Sequence, residues 1–370
     1  MYFYTFNPQL SKSISVFLYL CNQMTQNKES QYEVMRRVRL PLIILVTYAH
    51  SYGAIREGYS MLGSGWDTYE ILKILVSQTL VKVAVPAFFV MSGYLFFANV
   101  ERFTKKVYWQ KIKRRIKSLL IPYIIWNLLM AAKLGEISMN TFIAPANMPL
   151  WFLRDLIIVS LATPIIYIGV RKLGWWIVAI LLPIYVTGMW AIQPEANPYA
   201  ICFFCLGAAL SIKKMDLVET CGRYVMPACV LSVILIIAMM LTYGSNAYMG
   251  LMLMFRVTSV VMLFGLAGIA HRGQSLCNPL RFSQEGQSPM CDFGAEASYF
   301  VYLAHYVLFF GFIDTTFFEI FGDSTASLCA HYLICPLIKA TILIAIYWLY
   351  RIIRSKTTDR LSRRTTVSIR

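Results

Sequence analysis

Of 370 residues, 58% are apolar and only 14% are charged, with a formal net charge of +16 and a mean hydropathy of +0.59. An ordinary soluble domain carries about a quarter charged residues, so a soluble core is excluded as the home of this much apolar side chain. The Lys and Arg residues stand in short stretches between apolar runs rather than along one continuous face, which argues against a nucleic-acid partner. In chain order, residues 1–35 are mixed and read as a cytoplasmic N-terminal segment. Its weak apolar patch, Ser15 to Cys21, is too short for a span and lacks the basic leader of a signal peptide. Apolar runs able to cross about 30 Å of hydrocarbon as helices then recur almost to the C-terminus. Candidate spans are 38–56, 77–98, 117–134, 150–170, 174–192, 198–212, 223–243, 249–270, 297–318 and 330–352. Barrel-type alternation is absent, so helices satisfy the backbone. The expected fold class is all-α, a polytopic helical bundle of about ten transmembrane helices over 36–352, followed by a basic cytoplasmic tail at 353–370. No internal repeat stands out.

Loop charges test that count, because short cytoplasmic loops are rich in Lys and Arg. Arg36, Arg37 and Arg39 precede or open the first span, and a basic stretch from Arg102 to Lys117 joins the second and third. Arg171 and Lys172, then Lys213, Lys214 and Arg223, then Arg272 and Arg281, and finally the Arg-rich tail keep the alternation. The intervening loops are poor in positive charge. Both termini are therefore expected in the cytoplasm of a multi-pass cell-membrane protein.

Ionisable residues inside spans each need a reason, since they cost about 2.5 to 3.5 kcal/mol at the centre. Arg39 and His50 are eleven residues apart, three helical turns plus about 20°, so they share a face roughly 16 Å apart along the axis. An anionic cofactor entering from the cytosol could leave its phosphates at Arg39 and carry its reactive end to His50, a buried base. Equally, Arg39 reads as a topology charge and His50 as an interhelical hydrogen bond. Arg256 and Lys339 are further intramembrane charges without an evident placement. Cys202 and Cys205 have CxxC spacing, but they lie in an apolar run with no second ligand pair, so no metal site is expected.

Five strings in order resemble the membrane-bound acyltransferase-3 family from Arg36 to about Tyr350. They are the Arg39–His50 spacing, PAFFVMSGYL at Pro86 to Leu95, KIKRRIKSLLIPY at Lys111 to Tyr123, WFLRDL at Trp151 to Leu156, and SYFVYLAH at Ser298 to His305. The resemblance implies transfer of an acyl group, commonly acetyl, from cytoplasmic acyl-CoA to a hydroxyl of a cell-envelope carbohydrate or related acceptor. It makes His50 the candidate catalytic base. Arg39, Arg114 and Arg115 become candidates for the CoA phosphates, because a guanidinium binds phosphate bidentately. Ser298, Tyr302 and His305 fall on one helix face on the donor side. Ser92, Trp151, Arg154 and Asp155 are candidate acceptor contacts, with helix packing the competing reading for Ser92 and a structural ion pair for Arg154 and Asp155. The implied partners are the bilayer, acyl-CoA as a donor substrate rather than a permanently bound cofactor, and the acceptor. A transporter or flippase of envelope precursors is the competing class, although the two related halves with broken helices that mark many carriers are not evident.

Overall fold

The computed structural model describes residues 30–51, 61, 67–138, 141, 143–187, 198–277, 289–309, 311–322 and 324–367, and the side chains of these except 185–187, 198–199, 275–277, 289–291 and 356–367. Every regular element among them is helical. Most of the N-terminal segment, 1–29, lies outside the described residues.

Each expected span carries a helix, and where the helices differ from expectation the cause is local. The first comprises α1 (30–37) and α2 (Arg39–Ala49), joined through Val38 by an unbroken ladder, Val38 N to Val34 O and Leu42 N to Val38 O at 3.1 Å each. Its described part already reaches eight residues before the expected boundary of 38, and it stops at Ala49, with His50 as its C-cap. Residues 52–56 of the expected span lie outside the described residues. The second span opens at α3 (Thr68–Lys73), where Asp67 caps the first turn by accepting from Glu70 N. It then widens into a π-turn at Ile74–Thr79, tightens to a 3₁₀ turn at Leu80–Val83, and resumes as α4 (Ala84–Phe97). Pro86 cannot donate to the carbonyl of Lys82 four residues earlier, and β-branched side chains crowd the segment, so regular α-geometry is weakest here.

The basic stretch expected as a loop is itself mostly helix. Thr104 caps α5 (Lys105–Arg115), which runs through a π-turn at Ile116–Leu120 into α6 (Ile121–Leu134) without a breaker. Pro122 leaves the carbonyl of Ser118 without its helical donor, and the hydroxyl of Tyr299 supplies one. A 3₁₀ turn at Met148–Leu150 leads into α7 (Trp151–Leu161) and α8 (Thr163–Leu173), bent by 62° beside Pro164. After α9 (Trp176–Thr187) and α10 (Pro198–Ile212), α11 (Leu217–Arg223) and α12 (Val225–Leu241) meet at 73°. α13 (Asn246–Cys277) is long, and α14 (Pro289–Phe309) turns by 59° into α15 (Phe312–Phe321) at Gly311, whose φ of 80° suits glycine. The last helix, α16 (Thr325–Val367), continues through the expected tail to Val367.

By length and apolarity, four helices among the described residues can cross a membrane, and seven can if each bent pair is one span. The remaining three of the ten expected segments, α2, α9 and α10, are described over only 11, 12 and 15 residues. Outward-facing apolar side chains such as Ile165, Trp176 and Met226 are more than 70% exposed, as a lipid-facing belt requires.

The bundle is centred on α4 and α10. Their backbones touch through two glycines, since a Cβ on Gly93 would overlap the carbonyl oxygen of Phe204 and one on Gly207 that of Val90. Ala84, Ala87, Phe89, Val90, Phe204 and Ala208 fill the seam and are fully buried. Without a hydrophobic drive between helices in lipid, such close approach is what holds them together. Cys202 and Cys205 are buried free thiols packed in the same core. Lys339 finds its place here too: its ammonium lies 2.8 Å from both oxygens of Asp314, and His331 Nε2 lies 2.9 Å from Asp314 Oδ1, tying α15 to α16. Gly93→Ala should therefore lower folded yield and thermal stability in detergent, by about 1 to 3 kcal/mol for forced overpacking. Gly135→Ala, whose added Cβ meets no atom within 4 Å but sits at a φ of 72°, should perturb only the C-terminus of α6. Thermal unfolding of the two purified variants checks this.

Candidate functional site

A cavity of about 590 Å³ lies between α2, the broken second span, α7, α13 and α14. Arg39 and His50 both line it, so the eleven-residue spacing does place them on one wall. At the Arg39 end stand Arg115, Ser92 and Tyr299. Arg115 Nη1 donates to Ser92 Oγ at 2.9 Å and Nη2 to the Ser92 carbonyl at 3.3 Å, while its guanidinium lies 5.6 Å from the centre of the Phe96 ring. Ser92 is thus a bracket for Arg115 and has no base beside it of the kind a nucleophilic serine requires. Arg114, the other guanidinium picked from the sequence, is exposed on α5 and does not line the cavity. Helical periodicity decides this, because neighbours on a helix point about 100° apart.

At the other end the chemistry gathers around His50. Its ring centre lies 5.5 Å from that of His305 and 6.0 Å from that of Tyr306. His305 Nδ1 stands 2.9 Å from the Tyr302 carbonyl and 3.1 Å from the Val301 carbonyl. Two acceptors assign the proton to Nδ1 and leave Nε2 with a lone pair. That Nε2 is buried and has no hydrogen-bond partner among the described residues. A fixed-tautomer imidazole beside His50 is the arrangement that base-and-orienter chemistry uses. Among the described residues no cluster of His, Cys, Asp and Glu could hold a metal ion.

The remaining expected residues divide. Ser298, Tyr302 and Trp151 line the cavity, with Ser298 Oγ donating to the Ala295 carbonyl at 2.7 Å and Tyr302 Oη to the Pro149 carbonyl at 2.6 Å. Arg154 and Asp155 are outside the lining. They pair with each other at 3.0 Å, Asp155 is fully buried, and Arg154 Nη1 also donates to the Ile143 carbonyl at 2.7 Å. Together with Asn127, which accepts from Asn147 N, and Asn147, which donates to the Leu303 carbonyl, they fix the turn that presents Pro149 and Trp151.

Sequence reasoning passed over Lys82, which lines the cavity from the 3₁₀ turn, and left Arg256 without a place, although it lines the same cavity from α13. Lys82 carried the signal, a lone cation inside an apolar span, but was not singled out. The lining therefore holds four cations, Arg39, Lys82, Arg115 and Arg256, and no carboxylate. A cleft lined by one sign of charge raises the local concentration of ligands of the opposite sign.

Among known proteins, the sequence profile of an acyltransferase domain, that of the acyltransferase-3 family, matches residues 37–351. The chain is also similar to the succinoglycan biosynthesis protein ExoH of Rhizobium meliloti (strain 1021), 24% identical over 320 residues, with 77% of this chain and 80% of that protein covered. No solved structure matches. The chain belongs to the acyltransferase-3 family and is a membrane acyltransferase.

Proposed function

We propose that the protein moves an acyl group from cytoplasmic acyl-CoA to a hydroxyl of a cell-envelope carbohydrate. The observation that carries this reading is the cavity itself, with the Arg39 and Arg115 guanidinium groups at one end, the His50 imidazole at the other with His305 beside it outside the lining, and roughly 16 Å of helix between Arg39 and His50. The similarity to a protein named for succinoglycan biosynthesis supports a carbohydrate acceptor. Arg39 and Arg115 hold the donor phosphates through charge-assisted hydrogen bonds. The thioester then lies beside His50. The acceptor oxygen attacks the thioester carbon, the C–O bond forms, and His50 takes the hydroxyl proton; as the C–S bond breaks, that proton passes to the departing CoA sulfur. His305 is a positioning residue that accepts from the other N–H of His50 in the reacting complex, a bond that tightens on substrate binding. Acetyl is the simplest group consistent with the family resemblance. In this reading ten spans place both termini in the cytoplasm, so Arg39 opens on the donor side.

Three outcomes follow. A reporter fused at Arg370 and one within 102–117 should both read cytoplasm, and one near Gln193 the outside; a C-terminus on the outside would make the span count odd. With purified protein, His50→Ala should lower kcat by roughly 10² to 10⁴ while leaving insertion and folding intact. His305→Ala should cost less, and the double variant little more than His50→Ala alone, because the two imidazoles act as one unit. Independent, multiplicative losses would separate them. Arg39→Ala should mainly raise KM for acyl-CoA, with Arg39→Lys a partial rescue, since an ammonium keeps the charge and lacks the fork. An unchanged KM in Arg39→Ala would remove Arg39 from the donor site.

A further inference from the structure

A second cavity, of about 650 Å³, adjoins the first, and its size falls within the roughly 300 to 1,000 Å³ of small-molecule sites. It lies between α1, α2, α14 and α16, and Arg39, Ala295 and Tyr299 line both cavities. Arg36 stands about one helical turn before Arg39, on the side away from His50, and Asp292 and Glu296 precede Ser298 on α14. Arg351 adds a further charge, and Phe300 and Tyr347 supply aromatic faces, their ring centres 5.8 Å apart and their planes inclined by 32°. Tyr347 Oη donates to Glu296 Oε2 at 2.9 Å, and Arg351 Nη1 lies 3.9 Å from the same oxygen. Arg36 Nε is 3.5 Å from Asp292 Oδ1, longer than the roughly 2.7 to 2.9 Å of a charge-assisted hydrogen bond. That Nε is buried and has no hydrogen-bond partner among the described residues.

In the acyl-CoA reading the diphosphate rests at Arg39 and the thioester at His50, so the adenosine half of the donor has to continue past Arg39 in the opposite direction. The second cavity offers what that half requires. A nucleobase stacks on aromatic side chains, a carboxylate accepts from its amino group, and a guanidinium fork binds phosphate bidentately. Arg36, held from its carboxylate at long range, keeps its fork for a better acceptor. Three guanidiniums, Arg36, Arg39 and Arg351, against two carboxylates, Asp292 and Glu296, leave the lining positive. Resting on the acyl-CoA reading, we propose that the second cavity is the nucleoside subsite of the donor: Phe300 and Tyr347 pack the adenine ring, Glu296 accepts from its amino group, and Arg36 binds the 3′-phosphate of the ribose.

The test is titration calorimetry of full-length protein in detergent with CoA, 3′-dephospho-CoA and 4′-phosphopantetheine. CoA should bind roughly tenfold or more tightly than 3′-dephospho-CoA, the scale of a hydrogen bond to a charged group. Arg36→Met should bring CoA down to the affinity of 3′-dephospho-CoA and leave the latter unchanged, and Arg36→Lys should keep part of the difference. Phe300→Leu should weaken both nucleotides and leave 4′-phosphopantetheine unchanged. Equal affinities of the wild type for CoA and 3′-dephospho-CoA overturn the proposal without recourse to any variant. An Arg36→Met protein that loses the two in equal proportion overturns it as well. The acyl-CoA reading fails differently: the wild type then binds none of the three ligands, whereas failure of the subsite alone leaves them bound without discrimination.

Discussion

Inside hydrocarbon, a helix that breaks must find new partners for the backbone groups it frees, and this constraint organises the molecule. Four of the breaks converge on the cavity. α2 ends at Ala49, where the Tyr48 carbonyl accepts from Ser51 N and Ser77 Oγ. The π-turn of the second span is held by Tyr248 at the Gln78 carbonyl, the turn before α6 by Tyr299 at the Ser118 carbonyl, and the turn before α7 by Tyr302 at the Pro149 carbonyl. Ser77, Gln78, Ser118, Tyr299, Pro149 and Tyr302 all line the cavity. The irregular backbone at these four breaks and the cation-lined chamber are therefore one feature, because lipid tolerates non-helical backbone only where protein or a cavity covers it.

The same logic accounts for the paired charges of the bundle. Asp314 with His331 and Lys339, and Asp155 with Arg154, are neutralised in place and pin helices or turns. Around the cavity stand Arg39, Lys82, Arg115 and Arg256, with no carboxylate among the described residues of its lining. The cationic lining is what distinguishes this chamber from the rest of the bundle.

The sequence made much of this visible, and its failures have physical causes. The spacing of Arg39 and His50 survives because a helix converts eleven residues into a shared face whatever surrounds it. Helix packing was the competing reading for Ser92, and beside it Gly93 meets the Phe204 backbone. Span boundaries were less legible: hydropathy does not register where α1 begins, that a basic run such as Lys105–Arg115 stays helical, or that Ala162, Tyr224 and Gly311 turn the chain. Adjacent guanidiniums defeated the motif as well. Arg114 and Arg115 are equivalent in composition, and only helical phase puts the second one in the chamber. Lys82 was hidden by its apolar neighbours, and His305 disclosed its tautomer only through carbonyls supplied by its own helix.

The central claim is that one ligand spans the cavity from Arg39 to His50. Structure determination of the protein with a non-hydrolysable acyl-CoA thioether tests it most directly. The account predicts phosphate density against Arg39 and Arg115 and the acyl carbon beside His50, with the arm running along α2. A ligand bound instead on the exposed basic face of α5 around Arg114, with the cavity closed to it, would contradict the account.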